Sequence, residues 1–248
     1  LSAPLLLLPP SEGKTDGGRA PAARTKAGPF AEGLAPARDE VRRALGRALR
    51  GADDATAARL LGVRGDLLAR ARATTAAYVH GDAPVLPAVR RYSGVVWDHL
   101  GPLRAAEARR VLVPSALYGL TTGADPIADY RLKFSVSLPG IGGLARFWRP
   151  TLTGALVAHA RRRVVVDLLP TEHAGAFDQV ALHRALTVVR VQFRTADGSG
   201  VAGHDAKAVK GCVAHEVLAD GLDALGTFRW QGWHTRVTDA GVDVLAPA

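Results

Sequence analysis

The chain is short of cysteine, of lysine, of aromatic residues and of long apolar runs, and each shortage has a consequence. A single cysteine, Cys212, allows no internal disulfide. That usage fits a reducing compartment, so a cytoplasmic location is expected. No stretch reaches the roughly 18 apolar residues that a membrane-spanning helix needs. The leucine run at 5–8 is too short for a signal-peptide core and has no basic flank before it, so no leader is expected. Cys212 and His215 share a helical face at i,i+3, which is half a metal site, and the other histidines are scattered, so neither a metal nor a cofactor is expected. The nucleophile-elbow, metalloprotease and dinucleotide fingerprints are all missing.

Lysine is the most telling shortage. Of 32 basic residues only Lys14, Lys26, Lys133, Lys207 and Lys210 are lysines. In a chain that defaults to arginine, a lysine can be present for its compact, titratable amine rather than for charge alone. The charge is also uneven. Residues 1–150 carry 22 basic and 13 acidic groups, which accounts for the whole net charge of +9, whereas residues 151–248 carry 10 of each. This asymmetry fits a phosphate-bearing or polyanionic partner for the first part, and equally an arginine-rich solvated face.

Apolar residues make up 48% of the 248, enough for a real core. Strands are predicted at 5–8, 111–114, 164–168 and 187–194, with a hairpin turn at Asp197-Gly198 and a terminal hairpin over 235–245 turning at 239–241. Helices are predicted at 39–50, 56–61, 66–77, 85–100, 144–160 and 205–218, the last capped by His204 or Asp205; residues 16–36 read as a loop. Such a mixture implies an α/β fold with an irregular mixed sheet, taken as one domain over 1–248.

Several blocks carry chemistry-bearing residues. Ser11, Lys14 and Thr15 follow the first strand in Pro9-Pro10-Ser11-Glu12-Gly13-Lys14-Thr15. Gly13-Lys14-Thr15 lacks the earlier glycine of a nucleotide-binding phosphate loop, because Leu8 stands there, and no helix can open at Asp16-Gly17-Gly18. A turn holding one phosphate or carboxylate, or a merely solvated lysine, remains. Ser115, Tyr118, Asp125, Asp129, Tyr130 and Arg131 form the densest polar cluster after a strand, with Arg131 able to grip an oxyanion bidentately; a loop held shut by its own ion pairs is the alternative. Lys207 and Lys210 share a helical face at i,i+3. Finally, Gly62-Val63-Arg64-Gly65 joins two short helices over 56–77. Its amides could face a DNA phosphate, with Arg59, Arg64, Arg70 and Arg72 as counter-charge, or it could be an ordinary helical hairpin.

In order along the chain, these blocks resemble the YaaA family of peroxide-stress proteins. The matching segments are 9–15, Arg91-Tyr92-Ser93-Gly94, 115–120, Tyr130-Arg131-Leu132, Leu138-Pro139-Gly140, Phe147-Trp148-Arg149-Pro150 and 207–211. The resemblance implies a single unusual α/β domain with a helix-hairpin-helix-like element, protection from peroxide and iron-driven damage, and DNA binding. The chain departs from that pattern where arginine, serine and tyrosine are expected after 164–168, with Leu169-Pro170 and His173 in their place. It departs again where two arginines are expected after Gly211, with Cys212 and His215 instead. Two readings follow. In one, the chain defends against peroxide stress and binds DNA without sequence preference through Gly62, Arg64, Gly65, Arg70 and Arg72. In the other, it is a diverged enzyme acting on a small anionic or nucleobase-like substrate. There Ser11, Lys14, Thr15, Ser115, Tyr130, Arg131 and Lys210 bind, and Lys207 or Tyr118 transfers protons.

Overall fold

A run of consecutive leucines presents apolar side chains to both faces of a strand, so it must lie in a sheet covered on both sides. The structure, a computed structural model, describes residues 2–20, 28–200 and 205–247, and Leu5–Leu7 forms the buried strand β1. Seven further strands complete one sheet: β2 (Val111–Ser115), β3 (Gly119–Thr122), β4 (Val165–Asp167), β5 (Val188–Arg194), β6 (Arg229–Trp230), β7 (Trp233–Thr238) and β8 (Gly241–Leu245). Their order is β6-β7-β8-β5-β4-β1-β2-β3. The strands β8, β5, β4, β1 and β2 run parallel, and β3 and β7 add antiparallel neighbours on either side. In register, Leu7 lies opposite Leu112 on one side and Asp167 on the other, and Asp167 lies opposite Arg190. The carboxyl ends of β1 and β4 are therefore level, while β2 runs three residues further, to Ser115, and β5 four further, to Arg194; the loops that leave them share one edge of the sheet. The fold is a single mixed α/β domain with an irregular sheet.

The longer helices around the sheet are α1 (Ala31–Leu49), α2 (Asp54–Leu61), α3 (Asp66–His80), α4 (Val95–Leu100), α5 (Leu144–Ala160) and α6 (Ala206–Asp220). The first begins well inside the segment read as a loop. Leu34 is in helical phase with Val41 and Leu45, and all three are buried, so packing overrides the Gly/Ala/Pro-rich composition. Pro36, near the start, costs the helix one hydrogen bond.

The single helix predicted over 85–100 is instead a strand, Val85–Pro87, a short turn of helix, Ala88–Arg91, and α4. Tyr92 is extended and Gly94 has φ of 102°, which separates the two helical pieces. Val85–Pro87 pairs with Pro126–Ala128 in a small antiparallel ribbon. Asp197-Gly198 does make a turn, closed by Gly198 N–H to Thr195 and Thr195 N–H to Gly200. It joins no antiparallel strands, however, because β5 is parallel to both of its neighbours. The terminal hairpin is present, with Thr238 opposite Gly241. The expected helix cap at His204 lies outside the described residues, and Asp205 makes no side-chain cap bond.

Gly211 fixes the position of α6. A methyl group there would run into the Val96 carbonyl and the His99 backbone of α4, so only glycine permits this approach. The close contact buries Val209, Val213 and Val217 and leaves Lys207 exposed. The helical hairpin α2–α3 has its own small core of Ala57, Leu61, Leu68 and Ala71. Asp53 caps α2 by accepting from Thr56 N–H at 2.8 Å.

Candidate functional site

The loop after β1 is held from outside itself, by Arg91. This arginine is 1% exposed and has no carboxylate partner among the described residues. Its guanidinium donates instead to the carbonyls of Gly17 (2.9 Å), Pro84 (3.0 Å), Ile127 (3.3 Å) and Thr15. Thr15 N–H returns a bond to the Arg91 carbonyl at 2.8 Å, Ser93 N–H donates to Gly13, and Lys14 bridges to Tyr92. The strand that delivers Ser11–Thr15 is thereby stitched to the segment that delivers Tyr92. A fixed charge taken out of water needs hydrogen-bond partners, and carbonyls reach each of the three guanidinium nitrogens.

Lys14 projects from this stitch onto aromatic surface. Its amine lies 4.3 Å from the centroid of the Tyr130 ring and 5.3 Å from that of Tyr92, and donates to the Ser11 carbonyl at 2.8 Å. Burial, and then the nearby Arg131, push its pKa down from 10.5 to about 7. The cost of burying the ammonium is therefore full below about pH 7 and disappears as pH rises toward the ordinary lysine value. A hydroxyl chain borders the amine: Ser115 Oγ to Tyr130 at 2.8 Å, and Tyr130 to Tyr92 at 2.9 Å. Ser115 Oγ accepts from the N–H groups of Leu117 and Tyr118, which fixes the turn after β2. Trp148 of α5 adds its indole N–H to the Ala116 carbonyl at 2.9 Å.

Charged groups ring this centre. Arg131 pairs with Asp129 at 2.8 Å, and Lys133 pairs with Glu12 at 2.6 Å, the latter holding the Glu12 carboxyl below its usual range. A second centre stands at the ends of β4 and β5. There the buried Asp167 pairs with Arg190 and accepts from Leu169 N–H at 2.9 Å. Lys210 lies 5.2 Å from the Phe193 ring centroid, and burial, with Arg190 next, lowers its pKa to about 8. His173 stands where the fields of Lys210 and Glu12 both reach; burial holds its pKa below the ordinary histidine value, and its Nδ1 is buried without a partner among the described residues.

Ser11, Lys14, Ser115, Tyr130 and Arg131 thus come together at the carboxyl ends of β1 and β2, where ligands of parallel α/β sheets bind. Lys210 lies against Phe193 of β5, two strands from β1. Thr15 is exposed, and its backbone rather than its side chain serves the loop. Of the two residues read as proton-transfer groups, Tyr118 borders this centre, its ring edge-on to that of Tyr130 with centroids 5.7 Å apart. Lys207 is exposed on α6, without the burial that role requires. Burial pushes the Tyr118 hydroxyl well above its ordinary pKa, and it accepts from Ala128 N–H at 2.9 Å. Tyr118 also lines a different cavity of about 290 Å³, with Arg38, Arg42, Tyr78 and Asp125.

The residues missed in the sequence are Arg91, Glu12 and the Asp167–Arg190 pair, although Asp167 is the one polar residue in the apolar segment 164–168. His215 donates to or accepts from nothing catalytic: its Nδ1 meets the Leu100 carbonyl at 2.9 Å. Burial raises the Cys212 thiol pKa, opposite to what a reactive thiolate needs. Among the described residues no three His, Cys, Asp or Glu are placed to hold a metal ion, and no helix is long and apolar enough to cross a membrane.

Residues 5–238 match a family model described as peroxide stress protein YaaA. The chain belongs to the YaaA family. A UPF0246 protein of Streptomyces coelicolor is 34% identical over 224 residues, covering 88% of this chain and 84% of the relative. A UPF0246 protein of Corynebacterium efficiens is 35% identical over 222 residues, covering 87% and 84%, and one of Corynebacterium glutamicum is 32% identical over 224. Family membership extends over both the Lys14 and the Lys210 centres.

The Arg91 anchor generates a direct test. Lysine keeps the charge of Arg91 but cannot reach carbonyls on several sides with a planar fork. Arg91→Lys is expected to lower unfolding free energy by about 3 kcal/mol, in the range for an uncompensated buried charge. Urea denaturation of both proteins measures this, and a loss below about 1 kcal/mol would remove Arg91 as the anchor.

Proposed function

We propose that this YaaA-family protein binds a small anionic ligand, of carboxylate or nucleotide-like chemistry, in the cleft at the carboxyl ends of β1, β2, β4 and β5, and acts on it as an enzyme within peroxide-stress defence. One observation carries this reading. Lys14 and Lys210 are both half-buried, and neither has a carboxylate within ion-pairing distance among the described residues. The nearest acids are already committed, Asp129 to Arg131 and Arg70, Glu12 to Lys133, and Asp167 to Arg190. Two desolvated amines left without counter-charge are stabilised by an anion that enters with its own. Arg131 beside Lys14 supplies a planar fork for the same oxyanion.

The sign of the pH dependence follows. An anion favours the charged amines, so binding is tight below pH 7 and weakens as Lys14 and then Lys210 lose their protons. Sulfate keeps its charge throughout that range and isolates the protein's titration. Its affinity, measured calorimetrically, is expected to fall about tenfold or more between pH 6 and pH 9, and Lys14→Gln or Lys210→Gln to weaken it at pH 6. A pH-independent affinity, or no binding at pH 6, would contradict the reading.

A second reading, sequence-independent DNA contact by a helix-hairpin-helix, has its own support. Gly62 and Gly65 both have left-handed φ values, 66° and 58°, and Gly65 begins α3 without a side chain over its amides. Arg64 and Arg59 are exposed and outside any ion pair among the described residues, whereas Arg70 is held by Asp16 and Asp129, and Arg72 by Asp54. The contact would therefore rest on Arg59 and Arg64 rather than on Arg70 and Arg72. Duplex affinity is then expected to drop at least about tenfold between 50 and 200 mM salt, and further in an Arg59→Ala, Arg64→Ala double variant. Equal affinity of that folded variant would take the hairpin out of DNA binding.

A further inference from the structure

Lys14 has features that holding an anion does not require. Its amine is fixed between the faces of Tyr130 and Tyr92, with centroids at 4.3 and 5.3 Å, and so is held in one place. The acids whose fields reach it are turned to other cations: Asp129 to Arg70 and Arg131, and Glu12 to Lys133. The Ser115–Tyr130–Tyr92 hydroxyl chain runs along the ring on which it rests. A lysine kept from water beside another cation is how an amine becomes a nucleophile in proteins, and both causes act on Lys14, burial first and Arg131 second. Burial also raises the Tyr130 pKa, so this hydroxyl stays protonated and able to give a proton.

We propose that Lys14 is a covalent nucleophile that forms an imine with an aldehyde or ketone bearing a carboxylate or phosphate, an inference that rests on the anion-cleft reading above. The neutral amine adds its lone pair to the carbonyl carbon. One proton passes from nitrogen to oxygen, which gives a carbinolamine. The C–O bond then breaks, and the hydroxyl leaves as water, taking a proton relayed through Tyr130 that is made good by the proton the nitrogen gives up. One water is released for each imine, and no oxidant or reductant takes part. The acidic group of the substrate sits against Arg131, which is half-buried beside Lys14. This orients the carbonyl toward the amine.

Pyridoxal 5′-phosphate carries an aldehyde and a phosphate on one ring, and borohydride reduces any imine to a stable secondary amine. The chain has only five lysines, so peptide mapping by mass spectrometry assigns the label, and four lysines serve as internal controls. With substoichiometric probe at pH 7, Lys14 is expected to label at least about tenfold faster than the exposed Lys207. Lys14→Arg should abolish the fast label while the slow labelling of Lys207 continues. Tyr130→Phe, which leaves the amine in place, should slow labelling about tenfold by removing the relay. Label spread evenly over the lysines, or absent from Lys14 while sulfate still binds, overturns the imine and leaves the anion reading intact. Absence of sulfate binding in the unmodified chain overturns the anion reading itself. An unchanged rate in Tyr130→Phe overturns the relay.

Discussion

A buried arginine with carbonyls for partners organises this molecule. Arg91 gathers the loop after β1, the Val85–Pro87 ribbon and its partner Pro126–Ala128 around one guanidinium. An acid would neutralise it more simply, but a carboxylate satisfies fewer directions than carbonyls drawn from several segments. The field of the guanidinium is consequently left unneutralised close by, and it contributes to lowering the Lys14 pKa. One interaction therefore positions the site and tunes it. The short hydrogen-bonded stitch of Lys14 to Tyr92, and of Thr15 to Arg91, transmits that position to the amine.

Around this anchor the sheet supplies geometry. The parallel strands β1, β2 and β4 bring Lys14, Ser115 and Asp167 to one edge, and the close approach permitted by Gly211 sets Lys210 against β5. Around the site Arg131, Lys133 and Arg190 are paired with acids, while among the described residues Lys14 and Lys210 are not. His173 stands within reach of the fields of Lys210 and Glu12, with its ring edge-on to Phe134. It carries an unpartnered buried nitrogen and a pKa lowered by burial.

Much of the site was legible because its blocks follow strands that announce themselves. The leucine run and the apolar segment before Ser115 place Ser11, Lys14, Ser115 and Tyr130 on loops at strand ends, and the structure brings them together. The ranking of the lysines was not legible. Lys207 and Lys210 look equivalent at i,i+3, yet one faces water and the other the Phe193 ring, and only the packing of α6 on α4 decides which. Arg91 was hidden for a related reason: its partners are backbone carbonyls at residues 15, 17, 84 and 127, and a carbonyl has no sequence signature. The break between Arg91 and α4 depends on Gly94 in a left-handed conformation, which a glycine in a helical pattern permits but does not demand. The hairpin of β7 and β8 was read from its turn, whereas the parallel pairing of β8 with β5 is a long-range choice.

The central claim is that the anchored loop holds Lys14 in a desolvated setting where its amine changes charge near neutrality. Selective carbon labelling of the lysine side chains, followed by nuclear magnetic resonance from pH 5 to 11 and assigned with a Lys14→Arg variant, reads this directly. The expected result is a Lys14 signal that titrates near pH 7, and that moves up toward the ordinary lysine value of 10.5 in Arg91→Lys, where the loop is released to solvent. A Lys14 signal titrating above about pH 9.5 in the unmodified protein would contradict the account.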